Sequence, residues 1–354
     1  MRKWFLLLIT FLLLSLIVPA YADRGMIPLS PDVSVYEPGQ KAIIAWDGEE
    51  EILILSTDTV SSEETLVLEI LPLPSKPTVE SASFHSFEEM QILIWEEGVN
   101  LYGTFGKEGA RAGGVDVVFH EKIGAHDVTV IMATGSSELV DWMEDFLEEN
   151  NVTQTPSLGN LEPAVEDYMG RGFRYYVLDL ITVSSEERSV DPILYRFDSA
   201  FLYYPLLITS PVEGSTDITL FLLTQGQVID GYYPLQKASY QVSGGPWKPI
   251  EFQVSQGELS KIDLRIGSLF EGGAWLTTLK YEGELKWLTE DLMITQDSVT
   301  PSVSEPDIQV EIAFPPTIVI LCFVLGAVCT LIGVFSTLLL TSSKWMQKKK
   351  RNEG

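Results

Sequence analysis

The sequence predicts an α+β fold: a β-dominated extracellular domain with a few short helices, followed by one C-terminal transmembrane helix. Two observations predict the extracellular domain. Runs rich in β-branched and aromatic residues are separated by Gly and Pro turns over most of the chain, and only a few short segments show helical spacing of apolar residues. A third observation predicts the transmembrane helix. Residues 317–340 carry no charge and would form a helix of roughly 36 Å, long enough to cross a bilayer.

Both ends of the chain predict the same membrane topology. Arg2 and Lys3 precede an apolar run and an Ala-x-Ala site ending at Ala22, which is typical of a signal peptide over residues 1–22. After the predicted span, residues 341–354 are rich in Lys and Arg, which favours the cytoplasmic side. We therefore expect a cell-membrane protein with one span, its large domain outside and its C-terminus in the cytoplasm.

Composition excludes one class of partner. The formal net charge is −27, and seven of the 23 Lys and Arg lie at the two ends. The extracellular part therefore has 16 basic against 49 acidic residues, and nucleic-acid binding is not expected. The two cysteines, Cys322 and Cys329, both lie in the predicted span. The extracellular domain therefore folds without disulfides, which fits a prokaryotic cell surface.

Local patterns place several elements inside residues 23–295, the predicted extracellular domain, in which a division into two lobes is considered near 184–191. Asp47-Gly48 between two apolar runs predicts a hairpin over 41–57. Ser86 and Glu89 predict a capped helix start, and a second helix is predicted from Ser136 to Asn150. Residues 296–316 are low in large apolar side chains and are predicted to form a stalk.

Four segments of the chain resemble a known family. They are Ala42–Gly48 leading into Glu51–Thr57, Leu71–Pro74, Ile123–Val130, and Tyr203–Thr209. Together they are similar to segments of the family catalogued as domain of unknown function 2330, over roughly residues 25–295. The resemblance implies an exported or membrane-anchored prokaryotic protein and supplies no catalytic residues.

Three tyrosine pairs suggest a binding surface. They are Tyr175-Tyr176, Tyr203-Tyr204 and Tyr232-Tyr233. Because adjacent side chains of a strand point to opposite faces, one tyrosine of each pair can stand in water. Tyr175, Tyr203 and Tyr232 are the candidates for an aromatic platform that binds a glycan or a partner protein. The competing interpretation, favoured from the sequence, is that these tyrosines flank the core of the sheet.

Other candidate residues carry weaker signals. His120 and His126 lie on adjacent predicted strands, where they can meet, but two histidines make a poor metal site, and we expect no cofactor or metal. The acidic turn Asp47–Glu51 fits a solvated turn better than a calcium site. Asn151 begins an Asn-x-Thr glycosylation sequon.

The predicted span has one face of small residues. Gly326, Thr330, Gly333 and Thr337 recur on about the same side of the helix, together with both cysteines. Small residues at this spacing let two helix backbones approach, so a homodimer through the membrane helix is an alternative to a simple anchor.

No catalytic motif is found, and whether the protein is an enzyme stays open. The leading hypothesis is a binding, interaction or structural role at the cell envelope, with an envelope protein or glycan as partner. The alternatives are a membrane-tethered hydrolase of envelope polymers that uses carboxylates, and an accessory subunit of a membrane sensor or transporter.

Overall fold

A computed structural model describes residues 27–29, 35–97, 120–123, 126–150, 152, 158–185, 188–211, 214–229, 231–241 and 245–301. The strands of these residues are β1 Ile27–Pro28, β2 Val35–Trp46, β3 Glu50–Ser61, β4 Thr65–Leu73, β5 Thr78–Ser81, β6 His120–Ile123, β7 His126–Met132, β8 Tyr175–Val183, β9 Arg188–Ser189, β10 Ile193–Asp198, β11 Phe201–Tyr204, β12 Ser215–Thr224, β13 Gly226–Val228, β14 Gln236–Lys237, β15 Ser239–Gln241, β16 Trp247–Pro249, β17 Glu251–Val254, β18 Ala274–Glu284, β19 Leu292–Thr295 and β20 Val299–Pro301. The helices are α1 Phe84–Glu96, α2 Ser136–Glu149, α3 Glu162–Gly170, α4 Gln256–Ile262 and α5 Leu264–Leu269. The described residues thus form a β-dominated, mixed α+β fold.

Two large sheets contain most of the strands. One has the order β1-β4-β8-β7-β6 and is antiparallel throughout. The other has the order β14-β18-β12-β2-β3-β10-β5, with β17 added beside β18 and β9 beside β3. In this nine-stranded sheet the β12–β2 pair is parallel. Three two-stranded sheets, β11-β19, β13-β20 and β15-β16, complete the pairing.

The hairpin of β2 and β3 lies at the centre of the nine-stranded sheet, and its prediction is confirmed. Ile44 and Leu53 point into the main core, which also contains residues of the five-stranded sheet. Ile43 and Ile54 point to the opposite face, into a second core with residues of α1, α4 and α5. Because both faces are covered, these strands read as continuous apolar runs. Gly48 sits at φ +105° in the turn.

Helix α2 follows its predicted pattern. Its five buried residues are the predicted ones: Leu139, Val140, Met143, Phe146 and Leu147. The predicted cap of α1 is wrong, because Ser83 has the extended backbone and its side chain accepts a hydrogen bond from the His85 N–H. Ser86 lies inside the helix and is buried.

The predicted stalk begins within the fold. Val299 of β20 is buried, and β20 pairs with β13, so residues 296–301 belong to the packed structure. All described residues lie in one compact unit. The lobe division considered near 184–191 stays a prediction.

The membrane predictions concern parts of the chain that the structure does not describe. The signal peptide at 1–22, the span at 317–340, its face of small residues and the tail at 341–354 lie outside the described residues. Within the described ranges, no helix has the length and apolar character needed to cross a membrane.

Candidate functional site

A groove follows the end of β18, where this strand lies between β12 and β14. In this register Asp217 is opposite Glu282, and Gln236 is opposite Lys280. The cavity has a volume of about 700 Å³. We call it the first groove; it is lined by Asp217, Tyr233, Pro234, Gln236, Lys237, Lys280, Tyr281, Glu282, Gly283, Glu284 and Trp287.

A second cavity, of about 500 Å³, adjoins the same tyrosine. It lies between the end of α3, the segment after β11 and the approach to β19. We call it the second groove; it is lined by Asp167, Arg171, Leu206, Leu207, Gly231, Tyr232, Tyr233, Leu235, Thr289, Glu290, Asp291, Leu292 and Met293. Since Tyr233 lines both cavities, residues 231–234 form the boundary between them.

Two aromatic rings at these grooves are largely in water. Tyr233 is 83% exposed and Trp287 is 58% exposed. The ammonium group of Lys286 lies 5.3 Å from the centre of the Trp287 ring, an arrangement typical of a cation–π contact. Exposed Tyr and Trp side chains beside a cavity with a few polar groups are typical of ligand-binding surfaces.

A buried carboxylate organises the wall of the second groove. The Asp291 side chain is fully buried, and its Oδ1 accepts hydrogen bonds from the Tyr168 hydroxyl at 2.7 Å and from the N–H groups of Leu206 and Leu207 at 2.8 and 2.9 Å. Its Oδ2 accepts from Arg171 Nη2 at 2.8 Å. Burial raises the pKa of the Tyr168 hydroxyl, and the Asp291 carboxylate raises it further, so this hydroxyl stays a donor. Asp291 thereby fixes the segment after β11 against α3.

The two grooves carry more acidic than basic side chains. In the first groove, Lys237 lies 3.0 Å from Glu251, a residue outside the lining. In the second groove, Arg171 is the only cationic lining residue among those described, whereas three lining residues carry carboxylates: Asp167, Glu290 and Asp291. Such surfaces disfavour polyanions.

The candidate platform of Tyr175, Tyr203 and Tyr232 is not formed as a set, in agreement with the interpretation favoured from the sequence. Tyr203 is fully buried, because β11 is covered on both faces: its ring packs on Phe173 at 5.1 Å between centroids, and the hydroxyl of neighbouring Tyr204 donates to Gln40. Tyr175 is half-buried on β8 and packs against the main core. Tyr232 is half-buried and lines the second groove.

Sequence reasoning chose the wrong member of the third pair. Tyr232 and Tyr233 do not lie on a strand, so the alternation rule does not apply, and Tyr233 is the outward residue. No sequence pattern indicated that Arg171 and Asp291 bind each other, because they are 120 residues apart in the chain. Asn151 and the membrane-face residues Gly326, Thr330, Gly333 and Thr337 lie outside the described residues.

The histidines do not meet as considered from the sequence. In the β6–β7 ladder His120 is opposite Thr129, and His126 is opposite Ile123. His126 instead pairs with Asp179 on β8, beside Glu69 on β4, which is the cross-strand partner of Asp179. All three side chains are buried, and none lines the two grooves. In the described ranges no group of three or more His, Cys, Asp or Glu is arranged to hold a metal ion.

The acidic turn is only partly solvated. Asp47 Oδ1 accepts from the N–H groups of Glu49 and Glu50, and Glu50 binds Arg196 through both carboxylate oxygens. Glu51 is fully buried, so its assignment to a solvated turn is wrong. Burial raises the pKa of Glu51 well above its usual value, although its hydrogen bond from the Tyr203 N–H acts in the opposite direction.

Comparisons with known proteins give one family match. No curated protein matches the sequence. Among solved structures, the crystal structure of baculovirus P35 is similar with a TM-score of 0.40 and 10% identity, covering 78% of this chain and 99% of that one. A mutated baculovirus P35 after caspase cleavage is similar with a TM-score of 0.39 and 10% identity, covering 73% and 99%.

A family model described as "Uncharacterized protein conserved in bacteria" matches residues 18–295. This range spans most of the chain and includes the segments whose resemblance was noted from the sequence. The protein therefore belongs to the DUF2330 family of uncharacterised bacterial proteins.

Proposed function

We propose that this protein is a single-pass cell-surface protein that binds a glycan of the bacterial envelope in the two grooves beside Tyr233. The observation that carries the proposal is the position of Tyr233, which is 83% exposed and lines both cavities. Burying so large a ring on an apolar partner is favourable. A sugar ring offers such a partner in its C–H face, and its hydroxyls suit the polar lining.

Charge supports a glycan over other polymers. Carboxylates outnumber cationic side chains in the lining of each groove, and the whole chain has a net charge of −27. Nucleic acids and phosphate-rich polymers would be repelled, whereas an uncharged or weakly charged polysaccharide would not.

Two carboxylates of the second groove are already paired with a guanidinium, which favours binding over hydrolysis. Glycoside hydrolysis needs one carboxyl group as an acid and a second as a base or nucleophile. In the second groove, Arg171 binds both Asp167, at 2.7 Å, and Asp291, at 2.8 Å. Carboxylate oxygens already bonded to a guanidinium are held in place, which suits a fixed binding wall better than a free acid or nucleophile.

Binding can be tested by co-sedimentation of the purified full-length protein with insoluble polysaccharides, using chitin, cellulose and peptidoglycan sacculi. We expect retention on at least one of them and about a 10-fold loss of affinity for Tyr233→Ala, since stacking anchors often contribute a tenfold factor or more. Trp247→Ala is the matched control, because Trp247 is 67% exposed and lines neither groove. Equal retention of the Tyr233→Ala variant and the unmodified protein would refute the site.

The proposed topology has its own test. With the signal peptide at 1–22 and the span at 317–340, a protease added to intact cells should digest the large domain and spare an epitope on the tail at 341–354. Full protection of the large domain would contradict the cell-surface location.

A homodimer through the span is part of the same proposal. Replacing Gly326 and Gly333 by Leu should weaken crosslinking between two copies in a bilayer, because the larger side chains keep the helices apart. Unchanged crosslinking would show that this face is not the interface.

A further inference from the structure

Arg171 is held rigidly at the second groove. It follows α3, and its guanidinium lies 4.5 Å from the centre of the Tyr168 ring and 5.1 Å from that of Phe173. On one edge Nε contacts Asp167 Oδ2 at 2.7 Å, and on another Nη2 donates to Asp291 Oδ2 at 2.8 Å. A side chain fixed by two rings and two carboxylates does not need to be ordered when a ligand arrives.

One nitrogen of this guanidinium has only a weak partner. Among the contacts of the described residues, Nη1 donates to the Met293 sulfur at 3.9 Å. A thioether is a poor acceptor, whereas guanidinium has five N–H donors that pair well with oxygen. Met293 and Arg171 both line the second groove, so Nη1 lies at its wall, and the Arg171 side chain is 30% exposed.

The surrounding charges restrict what this donor can accept. Asp167, Glu290 and Asp291 line the same groove, and a ligand carboxylate or phosphate would meet their repulsion. An amide carbonyl carries no net charge and is a strong acceptor. Leu207 and Met293 also line the groove and offer apolar contact to a methyl group.

We propose that Arg171 Nη1 recognises the acetamido carbonyl of an N-acetylated amino sugar in the second groove. The proposal deepens the glycan-binding function and rests on it. It assigns the second groove to the acetamido group, with its methyl against Met293, and makes Arg171 the residue that determines specificity.

The test compares three soluble ligands by titration calorimetry on the full-length protein. Chitohexaose and cellohexaose have the same β-1,4-linked backbone and differ in an acetamido or hydroxyl group at each C2. We expect chitohexaose to bind about 10-fold to 100-fold tighter, the range for a hydrogen bond to a charged donor. All titrations are run at high salt, which screens the attraction of ammonium groups to the acidic groove. Under these conditions the fully de-N-acetylated hexamer, which carries ammonium groups, should bind more weakly than chitohexaose, because it offers Arg171 a cation in place of an acceptor.

A variant assigns the selectivity to Arg171. In Arg171→Lys, which keeps the charge but loses the planar fork, the preference for chitohexaose over cellohexaose should fall to less than about 3-fold. If this variant fails to fold, the three-ligand comparison on the unmodified protein can still overturn the proposal.

The outcomes separate the two proposals. Equal binding of chitohexaose and cellohexaose, or tighter binding of the ammonium hexamer, would overturn the role of Arg171 and leave glycan binding intact. Binding of neither hexamer, together with no retention on insoluble polysaccharides, would overturn the glycan function itself. Displacement of chitohexaose by tri-alanine would show that the groove binds peptide amides instead of sugars, and it would overturn the assignment to an amino sugar.

Discussion

His126 and Asp179 form a buried pair in which the imidazole Nδ1 lies 2.5 Å from the carboxylate Oδ2. The other ring nitrogen, Nε2, lies 2.8 Å from the Asp191 carbonyl oxygen, which can only accept a hydrogen bond. His126 thereby links β7 and β8 of the five-stranded sheet to the chain that leads into β10 of the other sheet. Burial is the largest single effect and lowers the pKa of His126, but the Asp179 carboxylate, Glu69 and the Asp191 carbonyl together raise it more, so the net shift of the pKa is upward.

The first prediction concerns this pair and pH. Because the folded pKa of His126 is raised from 6.5, the stability that the pair contributes is fully present below pH 6.5 and is lost as pH rises through the folded value. Replacing both residues, His126→Gln with Asp179→Asn, should remove this dependence. Urea unfolding from pH 5.5 to 9 should show the unmodified protein losing free energy of unfolding relative to the double variant.

The single variant His126→Gln provides a control for the pair. It leaves the Asp179 carboxylate buried without its cationic partner and should cost about 3–5 kcal/mol at neutral pH. Parallel pH curves for the unmodified protein and the double variant would show that the pair does not titrate in the expected range.

The second prediction concerns Glu51. Its pKa is raised by burial, so the folded state keeps a proton that the unfolded chain releases near pH 4.5. The stability from this protonated carboxyl is present below pH 4.5 and is lost as pH rises through the raised value. Glu51→Gln keeps an acceptor for the Tyr203 N–H without the charge. At pH 8 the free energy of unfolding of this variant, measured with urea, should exceed that of the unmodified protein by about 1 kcal/mol or more.

Glu50 is the matched control for Glu51. Its carboxylate binds Arg196 near the surface, where a single ion pair contributes about 0–1 kcal/mol. Glu50→Gln should therefore be slightly less stable than the unmodified protein at pH 8. A Glu51→Gln variant less stable than the unmodified protein at pH 8 would contradict the assignment of a buried neutral carboxyl.

The third prediction compares two buried tyrosines. The Tyr168 hydroxyl donates to Asp291 and accepts from the Ile208 N–H at 3.1 Å, so Tyr168→Phe should cost about 1–3 kcal/mol. The Tyr176 hydroxyl is buried with no hydrogen-bond partner among the described residues, and burial raises its pKa to about 12. Tyr176→Phe should change stability by less than about 0.5 kcal/mol, or increase it. Thermal unfolding of both variants distinguishes them, and equal losses would contradict the Asp291 network.

Features set by local sequence were predictable here. The turn at Asp47-Gly48 needs a positive φ that Gly supplies, and the stripe of α2 follows the helical period over fourteen residues. Both patterns depend only on residues close together in the chain, so the turn and the helix can be predicted without knowing the tertiary contacts.

The candidate site was only partly predictable, because it is assembled by tertiary contacts. The third tyrosine pair was found, but its outward member depends on an irregular segment, 231–235, that no periodicity describes. Asp291 is bound by groups from α3, from the residue after it and from the segment after β11, which lie 84 to 123 residues away in sequence. The contact between His126 and Asp179 depends on the register between β7 and β8, which the sequence does not specify.

Hydroxyl-radical footprinting would show whether a glycan binds at Tyr233, because it reports which aromatic rings a glycan covers. The full-length protein would be oxidised with and without chitohexaose, and modification would be quantified at Tyr233, Trp287 and Trp247 in the same sample. We expect protection of Tyr233 and Trp287 and unchanged modification of Trp247, which lies outside both grooves. Protection of Trp247 with Tyr233 unprotected would contradict binding at Tyr233.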